Sequence, residues 1–287
     1  MHRVPKLLLY PLLELLPALG LVLGATSAAG AGTAGASSSP PSSGAAAARA
    51  ALGQLLVGWH HTNQPVSTPA SGIRGLSQVQ SDNWSGYADT GSGFSEVAAK
   101  WKEPSVTCTS TTSLAAFWVG IDGYSSTTVE QGGTLIECYQ GTAYHYSWWE
   151  MYPANDIQVV GSTVAPGDSI SASVVRSGTS YTIKVTDSTN PANSFSTTQT
   201  CSSCANSSAE WIAEAPSGGS AGIYPLAHFT RWGDSGSTVT EGTTKGVISS
   251  FTDDEITMVD SAAHVKAQPG ALNGSGNRFS VTWKRST

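Results

Sequence analysis

The chain has 287 residues, 39% of them hydrophobic and only 12% charged, with a formal net charge of −6. The charged fraction is about half the ordinary value, and no run of Lys or Arg forms the basic patch that a nucleic-acid partner needs. Ser, Thr and Gly take up the difference, and with Val, Tyr and Trp they point to an all-β protein.

The first elements are processing segments. Residues 1–29 start with Arg3 and Lys6, continue through an apolar stretch from Leu7 to Leu23, and end in small residues suited to cleavage after Ala28 or Ala29. That is the pattern of a signal peptide. Glu14, Pro11 and Pro17 interrupt the apolar run, which disfavours a permanent membrane helix. An exported protein, free of the membrane after processing, is the expectation. Residues 30–75 are rich in Ala, Ser, Gly and Pro and read as a linker or pro-segment. They include one short amphipathic piece, "ALGQLLVGWHHTN", whose His60 and His61 could sense acidification.

The mature domain is placed at residues 76–287. It holds ten Lys and Arg against nineteen Asp and Glu, a formal net charge of −9. With every carboxyl protonated it carries only those ten cations plus His145, His228 and His264. So sparse a charge limits the self-repulsion that drives acid unfolding.

Short alternating segments recur along the domain, among them "SLAAFWVGI", "AYHYSWWEMYP", "SYTIKVTDS", "AEWIAEA" and "RFSVTWK". Many short strands punctuated by Gly, Ser and Asn predict an antiparallel β-sandwich. Alternation sorts residues by face. Tyr144, Tyr146, Trp148, Glu150 and Tyr152 fall on one face, a row of aromatics with a single carboxylate, better suited to a cleft than to a core. Glu210, Ile212 and Glu214 share a face; if Trp211 and Ala213 point to the core, Glu210 faces such a cleft too.

Four cysteines in an exported chain suggest disulfides. Cys201 and Cys204 could close a tight loop, leaving Cys108 and Cys138 to pair between strands; a zinc site lacks histidines nearby. "GDSGS", Gly233 to Ser237, and "SAAHV", Ser261 to Val265, look like serine-protease loops, but the histidine follows the serine, so Ser235 is better explained as a turn residue. No HExxH, phosphate-binding loop or dinucleotide fingerprint is present, and neither metal nor cofactor is expected.

Six motifs then occur in order: "NWSGY" (Asn83 to Tyr87), "FWVGIDG" (Phe117 to Gly123), "VEQGG" (Val129 to Gly133), "SWWEMYP" (Ser147 to Pro153), "VAPGDSI" (Val164 to Ile170) and "AEWIAEAP" (Ala209 to Pro216). Together they resemble the glutamic peptidases, the eqolisin family. The resemblance implies a concanavalin-like sandwich of two antiparallel sheets. It also implies a catalytic pair, Gln131 and Glu210, in a site lined by Trp84, Trp118, Asp122 and Glu150, with Trp148 beside Glu150 in the aromatic row. Members are typically secreted, made with a pro-segment, active in acid on polypeptides and insensitive to pepstatin.

The residue types suit that chemistry. A glutamate with an ordinary pKa near 4.3 can take a proton from water and return it to an amine in acid. A glutamine amide does not titrate, so its N–H stays available to an oxyanion. A monomer is expected. The alternative is a glycoside hydrolase or carbohydrate-binding sandwich that uses Glu150 and Glu210 as its carboxyl pair.

Overall fold

The structure, a computed structural model, describes residues 43–57, 63–70, 76–219 and 222–287. The expected signal peptide, the first part of the expected pro-segment, and His60 and His61 lie outside the described residues. One helix, α1 (Ser43–Leu55), precedes the strands β1 (Pro65–Ala70), β2 (Leu76–Ser81), β3 (Trp84–Thr90) and β4 (Phe94–Lys102). There follow β5 (Ser113–Ile121), β6 (Val129–Tyr139), β7 (Thr142–Tyr152), β8 (Asn155–Gly161), β9 (Ser169–Ser177) and β10 (Ser180–Asp187). The last principal strands are β11 (Phe195–Thr200), β12 (Ser208–Glu214), β13 (Trp232–Glu241), β14 (Thr252–Val259), β15 (Val265–Pro269) and β16 (Arg278–Trp283).

Pairing arranges them as a sandwich. The front sheet runs β8-β7-β6-β5-β12-β3-β14, and β2 joins β14 in parallel. The back sheet runs β11-β10-β9-β4-β13-β16. β15 pairs with both β14 and β16 and carries the ladder from one sheet to the other. The antiparallel β-sandwich expected from the short alternating strands is the fold that forms.

The alternation decides which side chains meet between the sheets. Phe117, Val119, Ile121, Trp211 and Ala213 of the front sheet pack against Val97, Trp101, Ile183, Val185, Trp232 and Phe279 of the back sheet. Phe117 stacks on Trp232 at 5.5 Å between ring centroids. At about 25 cal/mol per Å² of apolar surface, each such side chain contributes about 1.5–3 kcal/mol. Disulfides join Cys108 to Cys138 and Cys201 to Cys204, as the spacing suggested.

Two local outcomes differ from expectation. The Ala-rich stretch from Ser43 packs as α1, with Ala48 and Leu52 buried; Ala is the best helix former, and an i, i+4 pair of apolar residues suffices for a contact face. Ser235 is not in a turn. It lies in β13 at a bulge, where the pairing with β4 slips between Ser235 and Thr238 and Gly236 takes a left-handed φ of 65°. Among the described residues, no helix is long and apolar enough to cross a membrane.

Candidate active site

One cross-strand row runs over the outer face of the front sheet. The register sets Ala88 on β3 opposite Glu210 on β12, Glu210 opposite Gly120 on β5, Gly120 opposite Gln131 on β6, and Gln131 opposite Glu150 on β7. Asp254 on β14 extends the row beyond Ala88. Directly opposed residues point to the same face, so Glu210 and Gln131 share it, with their backbones two strand spacings, about 10 Å, apart. Between them stands a residue with no side chain. A Cβ on Gly120 would meet the Trp118 ring at 2.9 Å and the Gln131 Cβ at 3.1 Å.

Burial sets the protonation of the row. Glu210 is fully buried, which pushes its carboxyl well above the ordinary range; the Ser208 hydroxyl two residues back offsets part of this, and Asp122, Glu130 and Asp89 raise it further. Glu150 is also pushed well up by burial, partly offset by its bond from Gln131. The Gln131 amide nitrogen donates to Glu150 Oε2 at 2.8 Å. That bond fixes the amide plane and leaves the second hydrogen of the nitrogen for another acceptor.

A second row, two residues along, is apolar: Ile212, Trp118, Gly133 and Trp148. Trp84 meets Trp118 edge-on at 4.9 Å between centroids. The Trp118 indole nitrogen donates to Glu214 Oε2 at 2.8 Å, so a third buried carboxyl belongs to this face. Asp122 is not brought into the row. Its carboxylate accepts from the Asn206 and Ser207 amides at 2.7 and 2.8 Å and from the Ser207 hydroxyl at 3.0 Å, which anchors the chain entering β12. Tyr124, just after that anchor, donates its hydroxyl to Asp254 Oδ2 at 2.5 Å.

The face is covered. Leu52 of α1 and Leu56 just after it join the buried cluster of Trp84, Trp118, Tyr146, Trp148, Leu135 and Ile212. Hydrogen bonds tie the helix from its middle to its C-terminal end as well: the Arg49 guanidinium donates to the Val159 carbonyl at 2.8 Å, Tyr224 to the Leu55 carbonyl at 3.3 Å, and the Gly219 amide to the Val57 carbonyl at 3.1 Å.

Comparison with known proteins decides the family. Residues 82–274 match the family model for the peptidase A4 family. The chain belongs to that family, the eqolisins. It is 31% identical over 153 residues to scytalidopepsin B of Scytalidium lignicola, a match that covers 52% of this chain and 57% of the relative. To aspergillopepsin-2 of Aspergillus niger it is 27% identical over 187 residues, covering 55% and 66%. The matches thus span less than two thirds of either curated relative's length.

The crystal structure of scytalido-glutamic peptidase with a transition state analog inhibitor superposes with a TM-score of 0.61 at 24% identity, over 71% of this chain and 98% of that one. The crystal structure of aspergilloglutamic peptidase from Aspergillus niger gives 0.50 at 25% identity, over 60% and 99%. The fold of this eqolisin is therefore shared along nearly the whole of those chains.

Within the eqolisin sandwich, the sequence-predicted Glu210, Gln131 and Glu150 fall in one row, Trp118 and Trp148 stand in the next row to one side, and Trp84 packs on Trp118. Glu150 and Glu210 do not face each other as a carboxyl pair: three strand spacings, about 14 Å of backbone, separate them, with Gln131 between. Glu214, Tyr124, Asp254 and Gly120 were not singled out from sequence as site residues. For Glu214 the signal was present in its alternation with Glu210.

Proposed function

We propose that this eqolisin is a secreted acid endopeptidase, insensitive to pepstatin, that hydrolyses polypeptides with Glu210 as general base and acid and Gln131 as oxyanion donor, as a monomer and without a cofactor. The observation that carries this reading is the row itself: Glu210 and Gln131 on one face across the side-chain-free Gly120, with the Gln131 amide held by Glu150. Relatives described as glutamic peptidases, one solved with a transition state analog and another with the tripeptide Ala-Ile-His, support it.

In this reading Glu210 takes a proton from a water whose oxygen attacks the peptide carbonyl, and then delivers that proton to the leaving amine nitrogen. The free N–H of Gln131 meets the carbonyl oxygen as it becomes negative, and such a donor is worth about 10²–10³ in turnover. The bond from Gln131 to Glu150 aims the amide in advance, so little reorganisation is needed when charge develops. The aromatic rings around the row exclude water and give substrate side chains an apolar surface.

The same reading assigns residues 30–75 to a pro-segment. α1 lies on the outer face with Leu52 and Leu56 against the tryptophans, on the face that carries Glu210 and where a polypeptide substrate would bind. Once the pro-segment leaves and the face opens, water reaches the Glu210 carboxyl, and its pKa falls toward the range in which it works as a base in acid.

The deciding experiment is hydrolysis of an unfolded protein at about pH 3–4, with pepstatin present, by the trimmed enzyme and its Glu210→Gln variant. Cleavage by the parent alone is the expected result. Cleavage by both would remove Glu210 from the mechanism. Cleavage by neither, together with turnover of β-glucan or xylan, would return the molecule to the glycoside hydrolases.

A further inference from the structure

The domain's few cations are not spread evenly. The outward side of the back sheet carries Lys100 and Lys102 on β4, Lys184 on β10, Arg278 on β16 and the exposed Arg231 that leads into β13. Lys245 adds a sixth, and it bonds both oxygens of Glu96 at 2.9 Å. Six of the ten Lys and Arg of residues 76–287 thus lie on one face of a domain whose formal net charge is −9. Glu96 is the carboxylate among them, already paired.

The face is shaped as well as charged. A groove of ≈ 710 Å³ is lined by Lys100, Lys102, Arg231, Ser169, Ser171 and Ser235, and no carboxylate lines it. A second groove of ≈ 420 Å³ shares Lys100 and Ser171 with the first and continues along β4 to Lys184. The register explains the shape. Ser171 and Ser235 flank Lys100 on either side, and Ser169 stands opposite Lys102. Small hydroxyl residues beside long cationic ones leave a trough about one strand spacing wide on each side of β4.

We propose that this trough binds a polysaccharide bearing sulfate esters, which lies along β4 with its sulfates on Lys100, Lys102 and Arg231 and its ring hydroxyls on the flanking serines. Three features select that ligand. No aromatic ring lies on the outward face of these strands to stack a base, so a nucleic acid finds charge but no platform. The central pair are lysines, compact point charges that a sulfate can meet without the planar, bidentate geometry a guanidinium fork imposes. The raised carboxyls of the fold favour acid, in which polymer carboxylates lose their charge and sulfate esters keep theirs. The trough lies on the opposite side of the sandwich from Glu210 and Gln131, so a bound polymer would hold the molecule in an anionic matrix and leave the other face open.

The test is equilibrium binding of the full chain to dextran sulfate at pH 4, with uncharged dextran, dextran phosphate and a thymidine oligonucleotide as comparison probes. Dextran sulfate is expected to bind and dextran not to. Lys100→Gln with Lys102→Gln should weaken binding at least tenfold and lower the slope of log K against log salt by about two. Lys284→Gln with Arg285→Gln, the same charge removed elsewhere, should change it less than twofold, and Lys100→Arg with Lys102→Arg should keep it. All four residues are exposed, and an unchanged thermal midpoint verifies each fold. Equal losses in the two Gln doubles, or none in the first, would overturn the site. Tighter binding of dextran phosphate or of the oligonucleotide would overturn the choice of ligand.

Discussion

Gln131 and Glu150 stand directly opposite each other on β6 and β7, joined by a 2.8 Å bond from the amide nitrogen to a carboxyl oxygen, and both are fully buried. In the proposed mechanism Glu150 therefore acts on the chemistry through Gln131. Glu150→Ala is expected to lower kcat about tenfold or more while KM changes little, because the amide loses its aim and not its donor. Gln131→Ala should cost more, about 10²–10³ in kcat. Steady-state kinetics on one peptide checks both, and an effect confined to KM in either variant would remove the oxyanion role.

The two halves of that relationship were unequally legible in the sequence. Period-two alternation placed Tyr146, Trp148 and Glu150 on one face and Glu210 with Ile212 on another, and the folded strands keep both assignments. Which residue of one strand lies opposite which residue of another is a matter of register, fixed by contacts between distant segments. Gly120 therefore gave no sign of standing between Glu210 and Gln131, nor Tyr124 of reaching Asp254, 130 positions away. Alanine-rich composition likewise hid α1, since only Ala48, Leu52 and Leu56 make its buried stripe.

Gly120 makes the row possible by absence. A methyl group there enters within 3.1 Å of the Gln131 Cβ and 2.9 Å of the Trp118 ring, and such overpacking typically costs about 1–3 kcal/mol. Gly120→Ala should lower the thermal midpoint by several degrees and turnover by more than the lost stability explains, since Gln131 is pushed off its bond to Glu150. A variant with unchanged kcat would show that the spacing is not critical.

Stability should fall as pH rises. Burial holds Asp89 and Glu130 up at about 9, Asp234 and Glu137 at about 7, and Asp253 at about 6. Each folded value lies above the ordinary one, so the folded state binds more protons than the unfolded chain. The contribution is complete below about pH 4 and is lost as pH climbs through 6 to 9. Asp260, held at about 2 by the His264 amide, acts oppositely and matters only below about pH 4. Urea midpoints from pH 3 to 9 should decline steadily above pH 5, and Glu130→Gln should flatten the decline between pH 7 and 9. A midpoint that rises with pH would contradict the assignment.

The contact between α1 and the tryptophans should be a brake on the full chain. Leu52 is 1% exposed and Leu56 6%, both within the cluster that includes Trp84, Trp118 and Trp148. A carboxylate at either position would have to lose its water against indole rings, at a cost of several kcal/mol, which exceeds what a lone pair of leucines contributes to docking. Leu52→Asp with Leu56→Asp should therefore release the helix without cutting it. At pH 5, where the new carboxylates are charged, the full-length double variant is expected to hydrolyse peptide at least tenfold faster than the full-length parent, while the two trimmed enzymes run at equal rates. Equal rates in the full-length forms would mean that α1 does not block the face, and unequal rates after trimming, where the two chains are identical, would mean that the substitutions impaired folding before trimming.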